Sequence, residues 1–194
     1  MATPSERYRE HRYDTGAPWL DLLATRGQAY RPESIERLRD VATLREWLDH
    51  QHLTPVEELT EAHVARAREL RETLRPFVLA ALDGAEPPDV AALQPWLDAD
   101  EPLRAVVRNG RPAAAPPPTL DAALARLARQ AVEQLPDAQL GACADTDCRL
   151  AYLDPVGRRR WCAPEKCGVK ARVRAHRARA RPGPGGAPSP PAPA

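Results

Sequence analysis

Cysteine is missing from the first 142 residues, and all four, Cys143, Cys148, Cys162 and Cys167, fall within the next 25. Disulfide frameworks belong to short exported chains. The start, MATPSERYREHRYDTG, is polar and has no apolar stretch of the kind a secretory signal needs, so a metal site is the better reading and a cytoplasmic, nucleoid-associated location is expected. No uninterrupted apolar run approaches the roughly 20 residues that cross a bilayer, which excludes a transmembrane helix and a membrane partner. Serine occurs three times, as Ser5, Ser34 and Ser189. With no Gly-x-Ser-x-Gly elbow and no glycine-rich phosphate loop, the chain is not expected to be an enzyme. There is a single Phe, so Trp19, Trp47 and Trp96 either supply the bulk of a core or line a ligand cavity. Lysine is scarce too, two against 26 Arg, a bias of base composition that leaves residue spacing as the informative signal.

What is present divides by charge. Residues 1–142 carry 17 Arg and 23 acidic residues, whereas residues 143–181 carry 11 Lys or Arg and four acidic residues. A basic block behind an acidic one points to an anionic partner, with nucleic acid leading. Residues 1–14 and the Pro/Gly/Ala segment 182–194 have too little apolar content to fold and are read as disordered. Between them lie a helical unit over 15–138 and a small module over 140–181.

The helical reading rests on period and caps. A short apolar run at Trp19, Leu20, Leu22 and Leu23 is taken as a helix. Thr43-Leu-Arg-Glu46 has capping-box spacing and predicts a helix over about 44–52. Thr54-Pro-Val-Glu57 predicts another start. Beyond it Val64, Ala67, Leu70, Leu74, Phe77, Val78 and Ala81 recur at helical steps up to Asp83-Gly84, with a break or kink expected near Arg75 because of Pro76. A weaker pattern covers 88–103. Val106 and Val107 before Asn109-Gly110 resemble a strand end and turn, and Pro116 to Pro118 a stiff linker. Thr119 then caps a helix with Leu120, Ala123, Leu124, Leu127 and Ala131 on one face, stopped by Pro136. His50, His52 and His63, and Glu57, Glu58 and Glu61, are read as caps and helix-start charges rather than as a second metal or acid–base site.

In the C-terminal module, Cys143-x4-Cys148-x13-Cys162-x4-Cys167 presents two matched pairs of soft ligands. Four thiolates suit one tetrahedral Zn²⁺, and with no position left open the metal would be structural rather than catalytic. A redox-sensing thiol switch is the alternative. Leu150 to Asp154 and Arg158 to Trp161 are expected to pair as a hairpin across Pro155-Val-Gly157. The helix after Cys167 is expected to pack Val169, Val173, His176 and Ala180 on the zinc knuckle. It would present Lys170, Arg172, Arg174, Arg177 and Arg181 to solvent, joined by Arg158, Arg159 and Arg160. Such a surface suits the phosphates and guanine edges of double-stranded DNA, and replacing Arg174 or Arg177 is expected to flatten the salt dependence by about one phosphate each. One finger reads only a few base pairs, so a homodimer is expected. The alternative is a module whose basic face docks on an acidic protein, its own helical unit included.

The run Arg160-Trp161-Cys162-Ala-Pro-Glu-Lys-Cys167-Gly168-Val169-Lys170 resembles the signature of CGNR zinc fingers, with Cys143 and Cys148 as the other half. Leu20-Asp-Leu-Leu-Ala-Thr25, Thr43-Leu-Arg-Glu-Trp-Leu48 and Ala67 to Leu74 resemble the opening motif, first capped helix and central helix of the ABATE domain that precedes such fingers. The resemblance covers about residues 18–181. It implies an all-helical domain joined to a four-cysteine finger in a stress-linked, DNA-binding bacterial regulator, with a small-molecule effector for the helical part. Val169 and Lys170 stand where the family has Asn-Arg, Ala24 where it has Asn, and the segment from Asp154 to Trp161 is short by a couple of residues.

Overall fold

The computed structural model describes residues 10–180, so the expectations for residues 1–9 and 181–194, Arg181 among them, lie outside the described residues. Among the described residues, six α-helices and three two-stranded antiparallel sheets give a mainly helical architecture. Helix α1, Pro18–Ala24, opens with proline at its first position and buries every residue from Trp19 to Ala24. It is the hub of the core, packed against α3 (Glu61–Asp83), α5 (Leu120–Gln134) and β6 (Ala151–Leu153). Trp19 and Trp47 are fully buried and Trp96 nearly so, all three within the main apolar cluster. They are therefore core bulk. Trp19 satisfies its indole by donating to Gln134 Oε1 at 2.8 Å.

Between α1 and α2 a two-residue pair joins β1 (Arg26–Gly27) to β2 (Ile35–Glu36). Helix α2, Val41–His50, starts three residues earlier than the Thr43 signal predicts. Asp40 is the extended residue, its carboxylate accepts from Thr43 N at 2.8 Å, and the Thr43 hydroxyl accepts from Asp40 N at 3.1 Å. Thr43 thus serves as the returning partner of the box rather than its cap. The start predicted at Thr54 also fails. Val56 N and Glu57 N donate to the carbonyls of Pro117 and Pro118, which ties this segment to the proline linker as a bend rather than a helix. Helix α3 begins at Glu61, boxed by Thr60 and His63. It runs unbroken through Pro76 to Gly84 (φ +61), because the apolar residues on both sides of the proline, Leu74, Phe77 and Val78, are buried in the core.

A tight turn at Val90–Leu93 leads into α4, Gln94–Leu97. Strands β3 (Ala105–Arg108) and β4 (Arg111–Ala114) form the hairpin whose turn the Asn109-Gly110 pair announces, both residues having positive φ. Thr119 caps α5 as expected, and Glu57 adds a second acceptor by receiving Leu120 N. The α5 face, Leu120, Ala123, Leu124, Leu127 and Ala131, is buried as its period requires.

Strand β6 pairs with β5, Leu140–Ala142, and not with residues 158–161. The turn at Asp154 to Gly157 does form, but Asp154 places its carboxylate on the amides of Arg158 and Arg159, and the Arg160 carbonyl accepts from Ala144 N. Those groups are no longer available for a strand ladder. A single wide turn at Pro164–Gly168 then feeds α6, Val169–Ala180.

Candidate metal centre

Cys143 follows β5 directly and donates its amide to Leu150 O, so the hairpin register fixes its position. Cys148 closes the loop by donating its amide N–H to Asp145 O at 2.8 Å. Cys162 enters from the irregular return segment. Cys167 lies in the wide turn, its amide donating to Ala163 O at 2.8 Å. The four sulfur atoms lie within 4.8 Å of one another, three of the residues are buried, and none is in a disulfide. Cys148 Sγ is 3.6 Å and Cys167 Sγ 3.5 Å from Cys162 Sγ. A tetrahedral Zn²⁺ with bonds of about 2.3 Å needs sulfurs about 3.8 Å apart, a spacing close to that of this donor set. Tyr152 and Trp161 shield the cluster. The fully buried Tyr152 donates its hydroxyl to Arg159 O at 2.5 Å, and burial pushes its phenol up to about 12. The centre holds one structural Zn²⁺ with all four positions taken by protein.

The surroundings include residues that no local pattern points to. Arg12 and Asp14 lie in the stretch read as a disordered leader, yet Arg12 bonds Asp14 in a fork and donates to Cys162 O at 2.7 Å. Arg159 joins them, donating to Asp14 O, Asp14 Oδ2 and Cys162 O. Arg37 is 6% exposed, and burial together with the neighbouring Arg12 charge pulls its guanidinium down to about 10. Sequence separation hides all of these: Arg12 and Cys162 are 150 residues apart.

The predicted basic residues separate into kinds. Arg158, Arg172 and Arg177 are exposed and make no ion pair among the described residues. Arg160 is exposed with its guanidinium 5.0 Å over the Trp161 ring. Arg159 is half-buried in the junction just described, and Lys170 is half-buried beside Cys167. Arg174 grips Asp145 at 2.8 Å and also bonds Asp147, and these carboxylates hold its pKa above the ordinary value. Arg179, not singled out above, is exposed as well. The apolar stripe of α6 does not pack on the knuckle as expected. Val169 and Val173 are each about two-fifths exposed, His176 is exposed, and the helix contacts chiefly the wide turn that precedes it. The Arg174 bridge, rather than apolar contact, ties it to the knuckle. Of the histidines set aside, His63 accepts from Thr60 N and His50 stacks on Tyr13, so both act structurally.

A helical body closed by a four-cysteine zinc module is the class of protein this geometry defines. Residues 16–138 match the ABATE family, described as "Putative stress-induced transcription regulator", and residues 139–180 match the CGNR zinc finger. The two matches span most of the chain, which therefore belongs to the ABATE family and carries a CGNR zinc finger at its C-terminal end. No curated protein matched the chain. Among the described residues no helix is long and apolar enough to cross a membrane.

Proposed function

We propose that the chain is a zinc-dependent transcription regulator that binds double-stranded DNA through α6. The observation that carries this reading is the state of that helix: it leaves the zinc knuckle with Arg172, Arg177 and Arg179 exposed and unpaired among the described residues, and with Val169 and Val173 each about two-fifths exposed. A basic helix held at one end by a rigid metal module suits a groove, where arginines meet phosphates and base edges and short apolar side chains meet thymine methyls. Arg158 extends the same positive surface. Arg174 serves a second purpose in this reading, aiming the helix through Asp145 and Asp147. Because one finger covers few base pairs, a homodimer reading a two-fold symmetric site follows. A small-molecule effector would act through the helical body, though not at the tryptophans, which are packed in the core.

The test is a DNA titration of zinc-loaded protein over a range of salt, on a site selected from a random duplex pool at about 0.15 M salt. Log affinity should fall linearly with log salt. Arg172→Ala and Arg177→Ala should each flatten the slope by about 0.9, one phosphate contact. Arg174→Ala should weaken binding at every salt with a smaller change of slope. An unenriched pool, with slopes unchanged in the first two variants, sinks the proposal and leaves docking on an acidic protein partner as the use of this face.

A further inference from the structure

Zn²⁺ bound by four thiolates is a dianion, and a buried dianion needs positive charge near it. The finger's own sequence supplies Lys166 and Lys170 beside the sulfurs, while Arg158, Arg172 and Arg177 face solvent. Beside the cluster, however, lies a cleft of about 460 Å³, counting its open mouth, between the finger and the β1–β2 pair. Cys148, Cys162 and Cys167 form one wall. The helical body adds Arg12, Arg26 and Arg37 to the cleft, which Lys166 and Lys170 of the finger also line.

Arg12 places Nη1 3.5 Å from Cys162 Sγ and Nη2 2.7 Å from the carbonyl of the same residue. Arg37 is buried, and its bonds go to the backbone carbonyls of Glu10 and Ala24 at 2.7 and 2.9 Å; no carboxylate among the described residues pairs with it. Gly27 leaves room for that guanidinium, because a Cβ there would collide with both of its Nη atoms. A buried guanidinium satisfied only by neutral oxygens is costly unless an anion lies close by. The anion in this cleft is the thiolate cluster itself.

We infer that Arg12 and Arg37 are positioning residues of the zinc centre: from the helical body they offset the charge of the zinc–tetrathiolate unit, so that this body sets how tightly the finger keeps its metal. Linkage makes the dependence mutual. A change that withdraws either arginine loosens zinc, and loss of zinc leaves the buried Arg37 bonded only to backbone carbonyls and Arg12 ion-paired with Asp14 alone.

The experiment is zinc transfer from the full zinc-loaded chain to a chromogenic chelator, pyridylazoresorcinol, for Arg12→Met, Arg37→Met, the matching Lys variants and Arg172→Met. Removing an outer-sphere partner of a metal site typically weakens retention about 10- to 100-fold, and both Met variants should lose zinc faster by that order. The Lys variants keep the charge and should recover most of the difference, while Arg172→Met should behave as the wild type. A second readout uses the cobalt(II)-substituted chain. Loss of the Arg12 N–H beside Cys162 Sγ should shift the thiolate-to-cobalt charge-transfer band in Arg12→Met, and a purely architectural arginine would leave it in place. Should Arg37→Met fail to fold at saturating zinc, by circular dichroism, the Arg12 variants and the cobalt spectrum carry the test. Wild-type release rates in Arg12→Met, or Lys variants as leaky as the Met ones with an unshifted cobalt band, would overturn the inference.

Discussion

Arg71 projects from the buried side of α3 and is 3% exposed, yet every bond it makes is polar. Its two Nη atoms each meet a Glu36 carboxylate oxygen at 2.7 Å, Nη1 also reaches Thr25 Oγ1, and Nε meets Glu72 at 2.8 Å. This fork ties α3 to β2 and to the end of α1. Removing the cation leaves Glu36 with Arg68 and Glu72 with Arg26 and Arg75, so Arg71→Met should cost about 2 kcal/mol, below the penalty for a fully buried pair because both partly exposed carboxylates keep other cations. Urea unfolding monitored by helix signal measures it. A cost below about 1 kcal/mol, the range of exposed pairs such as Arg66 with Glu69, would show that the network contributes no more than a surface contact. The helical period identified Leu70 and Leu74 as core but passed over the arginine between them, because periodicity classes every Arg as solvent-facing. What buries Arg71 is a glutamate 35 residues away.

Elements were legible where a local signal had no competitor. The Asn109-Gly110 turn and the Thr119 cap are formed as their residues demand, since backbone sign and side-chain reach settle both within four residues. The finger hairpin was not. Its turn residues are where they were expected, but β6 found β5, because Asp154 captured the amides that a return strand needs. Gly141 shows how closely that pairing is made. It sits opposite Tyr152, and a Cβ there would lie 2.5 Å from the ring's Cε2. Tyr152 has no free volume to retreat into, being fully buried beside the cysteines. Gly141→Ala should therefore lower the stability of the zinc-loaded chain by about 2 kcal/mol, the cost of overpacking a closed site. Thermal unfolding at saturating zinc tests this, and an unchanged midpoint would mean the ring has room that the packing denies it.

For the molecule as a whole, β6 matters most because its faces alternate between two clusters. Ala151 belongs to the main apolar core and Tyr152 to the zinc cluster, while Leu153 packs against the main core again and donates its amide to Thr15 O at 2.7 Å. Gly16 (φ +98) brings the entry to α1 against the Leu153 side chain. The metal therefore supports more than the finger. Stripping zinc with a chelator should lower the unfolding temperature of the entire chain in one cooperative step and disturb the near-ultraviolet signal of the buried tryptophans, since the free energy of metal binding is folding free energy. A helical transition that stays at its zinc-loaded temperature while only finger signals are lost would show the two parts to be uncoupled.

The sequence by itself determined what short-range chemistry decides: four thiols clustered in two matched pairs mean zinc, a 3.6-residue period means helices, and the α5 cap and the Asn-Gly turn are written into adjacent residues. The tertiary structure alone decided what depends on partners far along the chain. It chose Asp40 over Thr43 and Thr60 over Thr54 as caps, gave β6 its partner, and left Val169 and Val173 of α6 partly exposed. It also brought Arg12 and Arg37 beside the cysteines. The physical reason is common to all of these. A cap, a strand edge or a buried charge is satisfied by whichever group the fold brings within hydrogen-bonding distance, and one-dimensional spacing does not contain that distance.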